Sequence, residues 1–150
     1  MSTAKAALSL AAALAALLAA PASHAQVDPK SILLTLPDHI DWKGDKVKSA
    51  VLYGDPKKEG SVYVMLLRWP ANFSTRPHSH PHDRMITVLE GTLWIGTGTR
   101  FHPETNTPVR PQGFFVDLAD QPHYEITKAD GALIEIVGVG PDTTVPREDK

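Results

Sequence analysis

Residues 77–91 read Pro-His-Ser-His-Pro-His-Asp-Arg-Met-Ile-Thr-Val-Leu-Glu-Gly. Three histidines stand on alternate positions, and an apolar segment follows them directly. Residues i, i+2 and i+4 of an extended backbone point to the same side, so His78, His80 and His82 are predicted to present their imidazoles on one face. The two prolines favour extended backbone, because proline fixes its own φ and pushes the preceding residue out of the helical region. The stretch is therefore predicted to bind a metal ion.

A fourth imidazole extends this prediction. His123 follows Gln121-Pro122 at the start of a later β-like segment, which repeats the turn-to-strand setting of the first histidines. It reaches the same site if the sheet folds back on itself. Each histidine has the alternative of being an ordinary hydrogen-bonded or surface residue, and for His82 both interpretations stay open.

The composition describes one mildly acidic domain. The chain has 150 residues, 17 acidic against 15 basic side chains, a formal net charge of −2 and no cysteine. This length corresponds to a single domain. The basic residues are scattered among acids, so the electrostatic footprint of a nucleic-acid-binding protein is absent. Without cysteine, a thiolate metal site is excluded and stability depends on the core.

The N-terminus has the pattern of a signal peptide over residues 1–25. Met1 to Lys5 carries one positive charge, Ala6 to Ala20 is a run of Ala, Leu and Ser, and Ser23-His24-Ala25 places small residues at the cleavage positions. The run is too short for a membrane span, which needs about 20 strongly apolar residues. A periplasmic or secreted protein without a membrane partner is predicted.

The remaining chain is predicted to be all-β. Residues 26–46 form an N-terminal lead-in, 47–140 an antiparallel barrel and 141–150 a flexible tail. Seven or eight short strands separated by turns favour an antiparallel sandwich or barrel. Ile32–Leu36 is predicted to be a short strand or a segment laid across the barrel. The predicted strands also include Ser61–Trp69 and Met85–Leu89, and the predicted turns include Glu90-Gly91 and Lys128 to Gly131.

This pattern resembles the cupin superfamily, a small jelly-roll barrel. The first cupin motif is His-x-His, then an acid, then a glycine seven residues later; His78-Ser79-His80, position 84 and Gly91 have this spacing. The second motif is matched loosely by Phe114–Asp117 and Pro122-His123. A narrower resemblance, to exported bacterial cupins and to the cupin domain of ChrR-type anti-sigma factors, comes from residues 51–56 and 68–71.

The resemblance implies a metal held by His78, His80 and His123, with His82 as a further ligand or an outer group. The chain departs from the family at position 84, where arginine replaces the acid. A guanidinium offers only donors and cannot bind a cation. Inside the barrel its charge requires balance from a carboxylate such as Asp83 or from an anionic substrate, so Arg84 is predicted to bind substrate. Asp117 and Asp120 are expected to orient an imidazole.

Imidazole ligands suit zinc, iron, copper or nickel, and iron or zinc is the cofactor predicted. Iron implies dioxygenase chemistry on a small anionic molecule paired to Arg84, whereas zinc implies hydrolase, lyase or isomerase chemistry. The alternatives are a non-catalytic metal-binding or sensor module, and a metal-free barrel in which Arg84 binds an anion. The resemblance also implies a homodimer.

Overall fold

A computed structural model describes residues 27–149, so the predicted signal peptide lies outside the described residues. The described residues divide into two units at Leu34 and Thr35, so that residues 27–34 belong to the first and residues 35–149 to the second. In the first unit, a turn is formed where the N–H groups of Ser31 and Ile32 donate to the Asp28 carbonyl at 2.9 and 3.1 Å. The strand predicted over Ile32–Leu36 is wrong, because these residues have no pairing partner among the described residues and are exposed.

The second unit is all-β, as predicted. Before its first strand it has a short 3-10 turn at Pro37–His39 and a single bridge between Lys43 and Ser49. Among residues 27–149, no helix has both the length and the apolar character needed to cross a bilayer. The strands are β1 (Lys48–Tyr53), β2 (Val62–Trp69), β3 (His78–Ser79), β4 (Arg84–Thr97), β5 (Thr107–Val109), β6 (Phe114–Asp117), β7 (His123–Val139) and β8 (Val145–Pro146).

Two long strands, β4 and β7, organise the barrel. Every strand pair is antiparallel, and β4 and β7 take part in both of its layers. One layer has the order β1-β2-β7-β4-β6 and uses the C-terminal half of β7 with the N-terminal half of β4. The other has the order β5-β4-β7-β3-β8 and uses the opposite halves. This arrangement confirms the predicted antiparallel jelly-roll barrel.

The predicted turns at Glu90-Gly91 and Lys128 to Gly131 are wrong, because β4 and β7 continue through them. The pairing register shifts on both sides of Gly91. Gly91 has a φ of +69°, and a Cβ atom there would lie 2.3 Å from the Gly131 carbonyl oxygen. Irregularities of this kind bend a strand, so the glycines let the two long strands pass from one layer into the other.

The hydrophobic core lies against the strands shared by both layers. Its most buried members include Tyr63 from β2, Ile86 and Val88 from β4, and Ile136 from β7. Along the first half of β4, buried residues alternate with more exposed ones, as expected for a sheet with one buried face. Phe114 of β6, by contrast, is 61% exposed.

The C-terminal segment, predicted as a flexible tail, lies along the barrel over its described part, residues 141–149. Its strand β8 pairs with β3, so that Pro146 lies opposite His78. The Arg147 Nε donates to the Ser79 hydroxyl at 2.8 Å. The predicted boundary at residue 140 is therefore corrected: β8 covers the edge of a two-residue strand whose backbone groups would otherwise lack partners.

Candidate metal centre

Three of the four predicted histidines meet inside the barrel. One ring nitrogen from each of His78, His80 and His123 lies within 4.8 Å of the others. All three side chains are buried. His78 lies directly opposite His123 in the pairing of β3 with β7, and His80 follows two residues later on the same side of extended backbone.

Each imidazole is oriented by a backbone carbonyl. The Nδ1 atoms of His78, His80 and His123 lie 2.8, 2.8 and 3.0 Å from carbonyl oxygens of Arg76, Thr143 and Gln121, respectively. A carbonyl only accepts, so each Nδ1 carries a proton, and in the neutral imidazole the lone pair then lies on Nε2. The three rings are thus fixed in the form that binds metal through Nε2.

The Nε2 atoms of His80 and His123 are buried without a hydrogen-bond partner. Folded proteins rarely leave a buried polar atom in this condition. Burial and the nearby Arg84 guanidinium lower the pKa of His80 to about 3, which keeps this imidazole neutral at physiological pH. Neutral imidazole is the ligating form, so the residues fit a bound transition metal.

His82 does not join the cluster. The chain bends at Pro81 and His82, which ends the alternation of the extended segment, and the His82 side chain is exposed. It lines a separate cavity of about 510 Å³ together with Met85 and Val139. The prediction of His82 as a ligand is corrected for this reason.

Arg84 is buried at the start of β4 and paired with two carboxylates. Its Nη2 donates to Asp117 Oδ2 at 2.7 Å, and its Nη1 donates to Asp142 Oδ1 at 3.3 Å. Burial alone would lower the pKa of Arg84, but these two carboxylates raise it. Asp83, the carboxylate predicted to balance it, instead accepts from the Ala119 N–H at 2.7 Å. Since its charge is compensated within the protein, the prediction that Arg84 binds an anionic substrate is corrected.

Glu125 is a buried acid beside the histidines that was not predicted from the sequence. Its Oε1 lies 3.5 Å from His123 Nε2, and its Oε2 lies 4.0 Å from His78 Nε2. A signal for it was present, because a residue two positions after His123 on a strand shares the face of that histidine. Asp117 also approaches His123 Nε2, at 3.5 Å.

The buried cluster has an excess of negative charge. Asp117, Glu125 and Asp142 carry three formal negative charges, against one positive charge on Arg84. Exposure of the three acid side chains is 4, 4 and 16%. Because unpaired charge is costly to bury, the cluster matches a divalent cation in charge as well as in ligand type.

Two openings reach the histidines. A cavity of about 460 Å³ ends at Asp117 and His123, and a smaller one of about 340 Å³ ends at His78. The larger cavity is lined mainly by apolar and uncharged polar residues: Ile95, Gly96, Thr97, Thr105, Thr107, Val109, Phe115, Val116, Leu118, Gln121 and Pro122. Asp117 is the charged member of that lining.

Two neighbours of His123 have structural contacts. The Tyr124 hydroxyl accepts from the His102 N–H at 3.0 Å, on the opposite side of β7 from His123, because successive residues of a strand point to opposite faces. Asp120 accepts from Arg147 Nη2 at 3.3 Å. The prediction that Asp120 orients an imidazole is wrong, since backbone carbonyls orient all three.

Comparison with solved structures gives many similar folds. The polyketide cyclase RemF from Streptomyces resistomycificus matches with a TM-score of 0.64 and 15% identity over 79% of this chain and 87% of its own. An RmlC-like cupin from Shewanella frigidimarina matches with a TM-score of 0.56 and 13% identity over 71% and 89%. The chain has the cupin fold. KdgF from Halomonas sp. is also similar, with a TM-score of 0.55 and 15% identity over 76% and 93%.

At sequence level, no protein-family model matches the chain and no curated protein matches it. The narrower resemblance to ChrR-type anti-sigma factors therefore stays a prediction. Within the cupin fold, this chain combines three converging imidazoles with an arginine where the first cupin motif places its acid.

Proposed function

We propose that this protein is a metal-dependent enzyme whose metal ion is held by His78, His80 and His123. The observation that carries this proposal is the convergence of one ring nitrogen from each of three histidines, together with the buried, unpartnered Nε2 atoms of His80 and His123. Imidazole and carboxylate donors together, without thiolate, suit Fe²⁺ or Zn²⁺. When bound, such an ion supplies a Lewis acid that polarises an oxygen atom of the substrate.

The substrate that the cavity of about 460 Å³ beside Asp117 and His123 favours is a small, mainly uncharged molecule with oxygen-bearing groups. Ile95, Val109 and Phe115 give it apolar walls, and threonine and glutamine side chains give it hydrogen-bonding groups. Among the described residues, no lysine or arginine lines it. An uncharged substrate accordingly replaces the anionic one expected from the sequence.

The reaction class that the site favours is a proton transfer without redox change, as in a lyase, an isomerase or a cyclase. Asp117 borders the cavity and lies 3.5 Å from His123 Nε2, so it is positioned to accept a proton from a molecule bound there. Arg84 holds this carboxylate in place. Similar structures include a polyketide cyclase and a DMSP lyase, at 15 and 16% identity, which is consistent with this class.

Elemental analysis of protein purified without added metal is the first test. About one iron or zinc per chain is expected, and turnover of hydroxy- and oxo-compounds without oxygen uptake would follow. Oxygen consumption coupled to substrate loss would instead support the dioxygenase alternative. Saturable ligand binding without turnover would support the non-catalytic module. Protein that neither retains nor takes up metal would overturn the proposal.

Export and dimerisation complete the proposal. Residues 1–25 have the pattern of a signal peptide, so we expect a mature N-terminus at Gln26 and a periplasmic or secreted protein. A homodimer is expected from the family resemblance, and Phe114 and Met85 expose apolar surface that another copy could cover. N-terminal sequencing of the exported protein and light scattering test these two points.

A further inference from the structure

We propose that Glu125 is a fourth protein ligand of the metal, so that the oxygen ligand enters the site from β7 instead of from position 84 on β4. This inference rests on the metal site of the proposed function. Arg84 cannot bind a cation, because every polar atom of its side chain is a donor. The site therefore lacks a carboxylate at the position where the first cupin motif has one, and Glu125 supplies it from another strand.

The distances around Glu125 fit a shared ion. Its two carboxylate oxygens lie 3.5 Å from His123 Nε2 and 4.0 Å from His78 Nε2. Two atoms that each bind one ion at about 2.1 Å are separated by roughly 3.0 to 4.2 Å, depending on the angle at the ion. Both distances fall in that range. The ligand atoms of Glu125, His123 and Asp117 also lie within 4.8 Å of one another, so Glu125 adjoins the three-histidine group through the shared residue His123.

A neighbouring hydroxyl fixes the direction of the Glu125 carboxylate. Thr75 Oγ1 donates to Glu125 Oε2 at 2.8 Å, and the backbone N–H of Glu125 donates to the same hydroxyl oxygen at 2.9 Å. Carboxylates that bind metal are commonly held by a second hydrogen bond of this kind. Thr75 thus restricts the rotamer of Glu125 while leaving Oε1 directed at His123.

Asp117, the other carboxylate beside His123, is less suited to ligation. Its Oδ2 is the atom nearest His123 Nε2, and that same atom accepts the 2.7 Å hydrogen bond from Arg84. The adjacent guanidinium opposes a second positive charge at this oxygen. The two acids therefore have different roles: Glu125 binds the metal, and Asp117 borders the cavity.

The test measures metal binding and needs no substrate. Wild-type protein, Glu125→Gln and Glu125→Asp would be loaded with Co²⁺, and affinity would be measured by competition with a chelator alongside the visible absorption spectrum. Glu135→Gln is the matched control, a glutamate of the same strand outside the cluster. Because loss of an outer partner already costs 10- to 100-fold in affinity, Glu125→Gln is expected to lose more than about 100-fold and to change the spectrum, whereas Glu135→Gln should change neither.

The outcomes separate this inference from the proposed function. Wild-type affinity and spectrum in Glu125→Gln would overturn the inference and leave the three-histidine site intact. If Glu125→Asp kept wild-type Co²⁺ affinity and spectrum while Glu125→Gln lost them, the inference would also be overturned, since the carboxylate would then act through its charge and not through its length. A wild type that binds no Co²⁺ would remove the metal site itself. Should Glu125→Gln not fold, Thr75→Val must lower Co²⁺ affinity by about 10- to 100-fold, and unchanged affinity would overturn the inference.

Discussion

His78 and His123 lie directly opposite each other across the pairing of β3 with β7, and their ring centroids are 4.6 Å apart. This backbone register brings together imidazoles from two motifs that are 45 residues apart in the sequence. Because strand pairing sets the distance, the two ligands are placed before any metal binds. Preorganisation of this kind reduces the ordering cost of binding.

Removal of either residue is expected to abolish metal binding. His78→Ala and His123→Ala should each contain far less than one metal per chain after purification, because a site with two imidazoles loses both a donor and its geometry. His82→Ala is the matched control, since His82 comes from the same histidine run but is exposed and outside the cluster. Metal content should be measured on variants whose unfolding curves show that they are folded.

Loss of metal from His82→Ala equal to that from His78→Ala would contradict this assignment. It would return His82 to the ligand set that the sequence predicted.

The buried pairs of Arg84 are expected to stabilise the fold. Arg84→Met leaves Asp117 and Asp142 without their cationic partner, so the free energy of unfolding of the metal-free protein should fall by about 3–5 kcal/mol. Arg68→Met is the control, because Arg68 pairs with Glu90 at the surface, where both side chains are about half exposed, and such a pair contributes about 1 kcal/mol or less. Urea unfolding measures both, and equal effects would contradict the interpretation.

The stability of the metal-free protein is expected to fall as the pH drops from about 6.5 toward 3. Burial and Arg84 lower the pKa of His80 from 6.5 to about 3 in the folded state. Between these values the unfolded chain binds a proton that the folded chain does not, so acid favours unfolding. Urea unfolding between pH 4.5 and 7 should show that the unfolding free energy of the wild type depends more steeply on pH than that of His80→Asn. The difference in slope should correspond to the uptake of at most one proton on unfolding. Parallel curves would show that His80 is not the group responsible.

The C-terminal segment is expected to support metal binding. Arg147 donates to Ser79 Oγ at 2.8 Å and to Asp120 at 3.3 Å, which holds the segment whose Thr143 carbonyl orients His80. Arg147→Ala should lower metal affinity by about 10-fold, in the range seen for groups that orient ligands. Arg110→Ala, at an exposed arginine, is the control. Chelator competition measures both, and equal affinities would leave the segment without a role in the site.

The sequence predicted the elements whose signal is local. Proline placement and alternation identified the extended segment of His78 and His80, and turn residues identified most strands. For Arg84, the side-chain type alone showed that it cannot bind a metal ion. Its partners Asp117 and Asp142 could not be predicted, because they come from distant segments that the fold brings together. Asp142 lies in the segment predicted as a tail, where no periodicity marks it. Glu125 could have been predicted from its position two residues after His123, which places both side chains on one face of β7, whereas the first motif places its acid at position 84.

The glycine bend between the two layers is expected to be a strict requirement of the fold. Gly91 and Gly60 both have positive φ angles, of +69° and +72°, so alanine at either position meets the same backbone strain. Only at Gly91 would the new Cβ collide, 2.3 Å from the Gly131 carbonyl oxygen, whereas nothing lies within 4 Å at Gly60. Gly60→Ala should cost about 1 kcal/mol of unfolding free energy, and Gly91→Ala about 1–3 kcal/mol more, because β4 and β7 must move apart. Urea unfolding of the two variants isolates the steric part, and equal losses would mean that the strands do not need the close approach of Gly91 to Gly131.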